Sequence, residues 1–323
     1  MKFITKCSII IFCFISFTNC KTTIKPPDGM VFIKGGNFNM GGNNIQARKD
    51  EFPVHTVQVN NFFMDETEVT NAQFKKFVSA TNYITTAEKD FKYLNNNGDT
   101  ILQKAGALVF KKLNKNETAN PNTWWQFVEG ANWQHPQGPN STIEGKDNYP
   151  VVQISWIDAQ AYCKWIGKRL PTEAEWEFAA RAGMTDKLYT WGNESVKNDK
   201  AKCNIWQGEF PFFNTMQDRY ERLAPVKRYT PNNYGLYDMA GNVWEWCSDW
   251  YDASFYNYCK QNSIFKNPLN QTPNDYQEKV VRGGSFLCND SYCSGFRVSA
   301  RMQSNFETSL EHTGFRCVMD IKN

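Results

Sequence analysis

Histidine is nearly missing from this 323-residue chain: His55, His135 and His312 are the only three, and they are widely spaced. That scarcity speaks against a zinc enzyme, and against an iron oxygenase, both of which draw on clustered imidazoles. Basic clusters are also missing. Lysine and arginine are scattered and the formal net charge is only +3, so nothing points to nucleic acid or to a strongly acidic surface as partner. No apolar run reaches the roughly 20 residues of a membrane-spanning helix; Ile9 to Phe17 falls well short. No Pro/Ser-rich linker, charge block, internal repeat or low-complexity run breaks the later chain, which favours one large domain over two.

What is present begins at the N-terminus. Lys2 and Lys6 precede the apolar run, and Thr18-Asn19-Cys20 follows it, the pattern of a secretory signal. Small or polar residues leading into Cys20, then Lys21 and a Thr/Pro linker to Pro27, suggest a bacterial lipoprotein cleavage site, although Asn19 is not the ideal small residue. The expected division is a signal peptide over 1–20, a linker over 21–28 and a domain over 29–323. A simple cleaved signal or an uncleaved anchor are the alternatives. The protein is thus expected outside the cytoplasm, periplasmic or membrane-anchored, touching the membrane only through a lipid, and monomeric.

Export puts ten cysteines in an oxidising compartment, where they read first as disulfide candidates. Three lie in the signal region. Cys288 and Cys293 sit five residues apart behind Gly283-Gly284 and beside Ser285. Two such thiolates suit Cu(I), which soft ligands select and which accepts two-coordinate binding, whereas structural zinc needs about four ligands. From spacing alone a plain Cys288–Cys293 disulfide is equally open.

The aromatic content, with eleven tryptophans, implies a core of large rings. Val54, Val57 and Val59, then Phe62-Phe63-Met64, suggest strands, as does Met30-Val31-Phe32-Ile33 before Gly35-Gly36. Three helices are predicted. One starts at Thr70 with Phe74, Phe77 and Val78 at helical spacing; one has Ser155 and Asp158 as capping pair and stops at Gly167; one has Thr172 and Glu175 as capping box and Gly183 past its end. From Trp191 to Lys279 no period is sustained, so that stretch is expected to be mostly ordered loop, which needs metal or disulfide anchors. Asn95 to Gly98 reads as a surface turn.

Several blocks carry a more specific message: Gly130-Ala131-Asn132-Trp133, Lys168-Arg169-Leu170-Pro171-Thr172-Glu173-Ala174-Glu175-Trp176-Glu177, Asn204-Ile205-Trp206-Gln207-Gly208-Glu209-Phe210-Pro211, Gly241-Asn242-Val243-Trp244-Glu245-Trp246, and Val280 through Gly314-Phe315-Arg316-Cys317. In this order they resemble the formylglycine-generating enzymes, or sulfatase-modifying factors, over nearly the whole chain after residue 28. The resemblance implies a single α+β domain of low regular secondary structure, related to C-type lectins. It also implies copper- and O2-dependent oxidation of the active-site cysteine of an unfolded sulfatase, within Cys-x-Pro-x-Arg, to Cα-formylglycine.

The resemblance further implies roles for individual residues. Cys288 and Cys293 would hold Cu(I), with the substrate thiol as third sulfur ligand and a thiol as reductant. Ser285 and Trp244 would border the oxygen pocket, and Trp124, Trp125 and Arg297 match positions near the peptide groove. Asn289 stands where members often carry histidine, and His312 where asparagine is expected, departures that touch substrate preference more than chemistry. Structural Ca2+ would be held by Asn204, Ile205, Asp218 and Tyr220 and, at a second site, by Asp238, Gly241, Val243 and Glu245, unless these residues only cap turns. A Cys163–Cys317 disulfide is implied. A second family bridge is missing at both ends, where this chain has Ala180 and Val298. Cys203, Cys247 and Cys259 have no implied partner; Cys247 to Cys259 would close a short loop and leave Cys203 a buried thiol.

Two rival readings stand beside this one: a non-catalytic surface or motility lipoprotein keeping the fold, and an oxygenase acting on another thiol. Fold alone does not choose between them.

Overall fold

The computed structural model describes residues 25–321 apart from 96, 197–199 and 262; the expected signal peptide and Cys20 lie outside the described residues. Local chemistry starts all three expected helices. Asn71–Thr81, Trp156–Trp165 and Glu173–Arg181 are capped by Thr70, Ser155 and Thr172, and in each a capping box closes three residues later at Gln73, Asp158 and Glu175. Their ends differ in detail. Asn82 and Ala182 take the left-handed conformation that stops the first and third helices, so Gly183 lies one position beyond the actual cap.

Among the described residues helix accounts for 16% and strand for 25%, so loops carry most of the architecture, as expected for this α+β chain. Met30–Ile33 pairs with Phe62–Asp65, which also pairs with Val318–Asp320. Gly36–Met40 and His55–Val59 form a hairpin joined by Phe265–Lys266. The central sheet runs Arg301–Asn305, Glu278–Arg282, Trp244–Trp250, Thr313–Gly314. From Trp191 to Lys279 the described chain is mostly loop, as expected, and its longest regular element is the Trp244–Trp250 strand. Its first four residues are all buried, so the alternation that reveals a half-exposed strand is missing. The Asn95 turn is confirmed: it joins the hairpin strands Phe91–Leu94 and Thr100–Gln103.

The core is built of rings. Phe74 packs on Trp133 at 5.4 Å and Tyr162 at 5.8 Å, with Phe315 against Tyr162 at 5.4 Å. A separate aromatic cluster joins Phe110, Trp124, Trp206 and Phe286 beside the Cys288 loop. Buried ion pairs cross the core: Arg282 bonds Glu173 at 2.7 Å and Glu177 at 2.6 Å, and Arg301 bonds Glu173 at 2.7 Å. Cys163, on the Trp156 helix, and Cys317 bring their sulfurs to 3.1 Å without a bond between them. Cys203 is a buried thiol. Cys247 and Cys259 are separate buried thiols, which corrects their expected pairing; Cys247 packs in the core cluster with Tyr256 and Val280.

Candidate active site

Beyond Arg282, Gly283 at φ +92° and Gly284 at φ +74° turn the chain through backbone space that favours glycine. Ser285 follows, fully buried. Its N–H points at Cys288 Sγ at 3.4 Å, its carbonyl accepts the Cys288 N–H at 2.9 Å, and its hydroxyl accepts the Leu287 N–H at 3.3 Å. This tight turn aims Cys288 at Cys293. The two sulfurs are joined, with Cα atoms 5.5 Å apart, Cys288 buried and Cys293 partly so. Reduced, the same pair presents two soft donors from one loop, which fits Cu(I). Both forms open in the sequence are therefore compatible with one geometry.

The pair is walled on two sides. A Cβ added to Gly295 would lie 2.5 Å from the outer atoms of the Trp244 ring and 3.0 Å from Cys288 Sγ, so a bare backbone here lets ring and sulfur share one space. Sequence reading missed Gly295; only its position two residues past Cys293 hinted at it. On the other side Tyr292 stacks on Phe210 at 4.6 Å and meets Trp124 edge-on at 5.5 Å. Trp124 is 4% exposed, so it supports the loop from within the aromatic cluster instead of lining an open groove. A cavity of about 390 Å3 lies against the loop, between Trp206, Gln207 and Thr215 and the loop residues Asn289 and Ser291.

Arg297 requires a correction. It is 1% exposed, and its guanidinium is taken by Glu51, so it is not free to meet a peptide. His312 is buried with its ring 4.8 Å from Trp125, and burial pushes its pKa down to about 3, leaving a neutral imidazole. Its carbonyl accepts the Trp244 N–H at 2.9 Å, which ties it to the site through backbone.

The first expected cation loop is brought together. Asp218 accepts the Tyr220 N–H at 3.0 Å and the Ile205 N–H at 3.3 Å, and burial pushes its carboxyl up to about 6. Asn204 donates to Arg222 O at 2.8 Å and Asn242 Oδ1 at 3.1 Å, while its own Oδ1 is buried with no hydrogen-bond partner among the described residues. An orphaned buried oxygen beside a buried carboxyl fits a hard cation. The second loop is fused to the first: Asn242 N–H donates to Asn204 O at 2.8 Å, and a Cβ on Gly241 would fall 2.3 Å from that oxygen.

At the second loop, burial pushes Asp238 up to about 6, with Glu245 adding repulsion. The Glu245 carboxylate itself is committed to Arg316, at 2.7 Å through each oxygen, and to Trp176 Nε1 at 2.8 Å. Glu68, which sequence reading did not single out, places a further carboxyl at this loop. It is fully buried, accepts Asn242 Nδ2 at 3.0 Å, and leaves Oε2 without a hydrogen-bond partner among the described residues. Among those residues no three His, Cys, Asp or Glu groups converge as a metal site, so a cation here would have to draw on amide and carbonyl oxygens as well.

Solved structures with this fold define the class first. The chain matches PvdO from Pseudomonas aeruginosa with a TM-score of 0.60 and 22% identity, over 90% of this chain and 94% of that one, a likeness of fold alone. Sequence goes further. Residues 16–321 match the sulfatase-modifying factor enzyme 1-like domain, and the chain belongs to that family. It is 44% identical to a formylglycine-generating enzyme of Streptomyces coelicolor over 302 residues, 90% of this chain and 89% of that protein. It is also 38% identical to the bovine "Inactive C-alpha-formylglycine-generating enzyme 2", over 89% of this chain and 87% of that protein. Membership therefore does not decide activity; the site does.

Proposed function

We propose that this protein oxidises the cysteine of a Cys-x-Pro-x-Arg segment in a still-unfolded sulfatase to Cα-formylglycine, using Cu(I), O2 and a thiol reductant. The observation that carries the reading is the direct contact of the buried Cys288 with the partly buried Cys293 in a hydrogen-bonded loop, within a chain so similar to the Streptomyces enzyme. The overall change balances: one substrate thiol, one dioxygen and two reductant thiols give one aldehyde, one hydrogen sulfide, one water and one reductant disulfide. Cys288 and Cys293 would hold the copper, which supplies a soft position for the substrate sulfur and the electron chemistry that O2 needs.

The chain's own residues prepare the place for that chemistry. Ser285 sets the turn that orients Cys288, and the buried Trp244 ring keeps bulk water from the sulfur. His312, neutral because buried, adds no charge beside the ring it supports. Ca2+ at Asn204 and Asp218, and beside Asp238 and Glu68, would neutralise buried carboxyls and stiffen the loops that brace the cysteines. The Cys163–Cys317 contact would close as a disulfide after export and tie the Trp156 helix to the last strand. An exported enzyme meets sulfatases as they emerge unfolded, and lipidated Cys20 would hold it at that membrane. No helix of the described residues is long and apolar enough to cross a bilayer.

The test is to load the reduced protein with Cu(I) and incubate it in air with a Cys-x-Pro-x-Arg peptide and a thiol, reading the peptide by mass spectrometry. Conversion of cysteine to aldehyde, lost in Cys288→Ser and Cys293→Ser, is expected. Copper binding without conversion would point to another thiol substrate, and no copper binding to a non-catalytic lipoprotein.

A further inference from the structure

Asn289 braces the loop between the two cysteines. Asn289 donates both amide hydrogens to the neighbouring segment, to Trp206 O at 3.0 Å and Gly208 O at 3.1 Å. Its Oδ1 accepts the Ser291 N–H at 2.8 Å and the Ser291 hydroxyl at 2.5 Å. Its backbone carbonyl accepts the N–H groups of Tyr292 and Cys293 at 3.1 Å and of Ser294 at 3.0 Å. A primary amide offers two donors and an oxygen with two lone pairs, and here all four are used. Aspartate lacks the donors, and an imidazole, the group that the family resemblance places here, has only two ring nitrogens to offer.

We propose that Asn289 is the positioning residue that fixes the separation of Cys288 and Cys293. It ties their loop to Trp206–Gly208, the segment that continues directly from Asn204 and Ile205 of the first cation loop. The inference rests on the reading of the cysteines as a Cu(I) pair. Two sulfurs chelate one ion, or close one disulfide, only as well as their separation is preset, so releasing the brace weakens both.

The test uses the full chain, reduced, competing anaerobically for Cu(I) against a chromophoric chelator. Asn289→Ala and Asn289→Asp are each expected to lose about 10–100-fold in Cu(I) affinity, the usual effect of removing an outer-shell support. Asp keeps the acceptor side towards Ser291 but not the two donors, so full affinity in Asn289→Asp would overturn the brace. Asn270→Ala removes a comparable brace elsewhere, Nδ2 to Trp250 O at 2.9 Å and Oδ1 from Thr272 N–H at 3.1 Å. It is expected to lower thermal stability and leave copper affinity alone; an equal loss there would reduce the Asn289 effect to general destabilisation.

A second readout needs no metal. The equilibrium between the Cys288–Cys293 disulfide with two glutathione thiols and the dithiol with glutathione disulfide is expected to move about tenfold toward dithiol in both Asn289 variants. A wild-type chain that ignores Cu(I) while the variants show this shift would sink the copper reading and leave the brace standing. A wild-type chain that binds Cu(I), with both variants unchanged, would sink the brace alone.

Discussion

Arg297 and Glu51 close on each other across 246 residues of chain, Nη2 to Oε1 at 2.6 Å and Nη1 to Oε2 at 2.7 Å, with both side chains withdrawn from solvent. Ser299 donates to the same carboxylate at 2.7 Å. Deleting either partner strands a buried charge, so Arg297→Ala and Glu51→Ala are each expected to cost about 3–5 kcal/mol in urea unfolding. Arg297→Lys should recover little, because an ammonium cannot span both oxygens as the guanidinium fork does. The peptide KM of the folded fraction is expected to stay put; a raised KM with unchanged stability would return Arg297 to the substrate groove.

Gly295 gives a steric prediction. Gly295→Ala drives a methyl into the Trp244 ring and toward Cys288 Sγ, and is expected to cost about 1–3 kcal/mol and to depress kcat sharply. Trp244→Phe removes the outer ring atoms that would clash. The double variant is therefore expected to be more stable than the two single losses added together, which a double-mutant cycle reads directly.

Cation removal should act on stability. Calcium is expected to raise the thermal midpoint and EGTA to lower it, calcium at a hundredfold excess over Kd adding about 2.7 kcal/mol to the unfolding free energy. Asp218→Ala is expected to blunt the response. A midpoint indifferent to both calcium and EGTA would leave Asn204 and Asp218 as turn caps only.

Asp249 supplies a pH dependence outside the metal loops. It is 2% exposed and accepts the N–H groups of Glu173 at 2.7 Å and Asn270 at 3.0 Å; burial, then the charge of Glu173, pushes it up to about 7. A carboxyl raised in the folded state favours folding in its protonated form. Its contribution is complete below the ordinary value of 3.8 and is lost as pH rises through about 7. The stability of wild type relative to Asp249→Asn is expected to fall across that window, by on the order of 4 kcal/mol at its limit. A flat difference in denaturant midpoints from acid to neutral pH would refute this.

Local features were legible in the sequence because their cause is local. Thr70, Ser155 and Thr172 cap helices through hydrogen bonds three residues away, and Cys288 and Cys293 lie within one loop. The resemblance likewise placed Asn204 beside Asp218. The features that escaped depend on distant chain or on missing alternation. The Trp244–Trp250 strand hides because its first four residues are all buried. Glu51 and Arg297 meet across most of the domain, and Glu68 reaches Asn242 over 174 residues. No short window contains both partners of such a contact, so only the folded chain places Arg297 in the scaffold and Glu68 against Asn242.

The pairing of Val318–Asp320 with Phe62–Asp65, itself paired with Met30–Ile33, sets an order of events. A chain synthesised from its N-terminus holds two strands of that sheet early and receives the third only after the intervening domain has been made. Thr313–Gly314, which flanks Trp244, arrives just before it. The cysteine loop therefore gains its full support at the last moment of delivery. A chain that stops short of Thr313 carries both thiols but lacks the strand that holds the Trp244 backbone, so a fully supported cysteine loop doubles as a sign that the domain is complete.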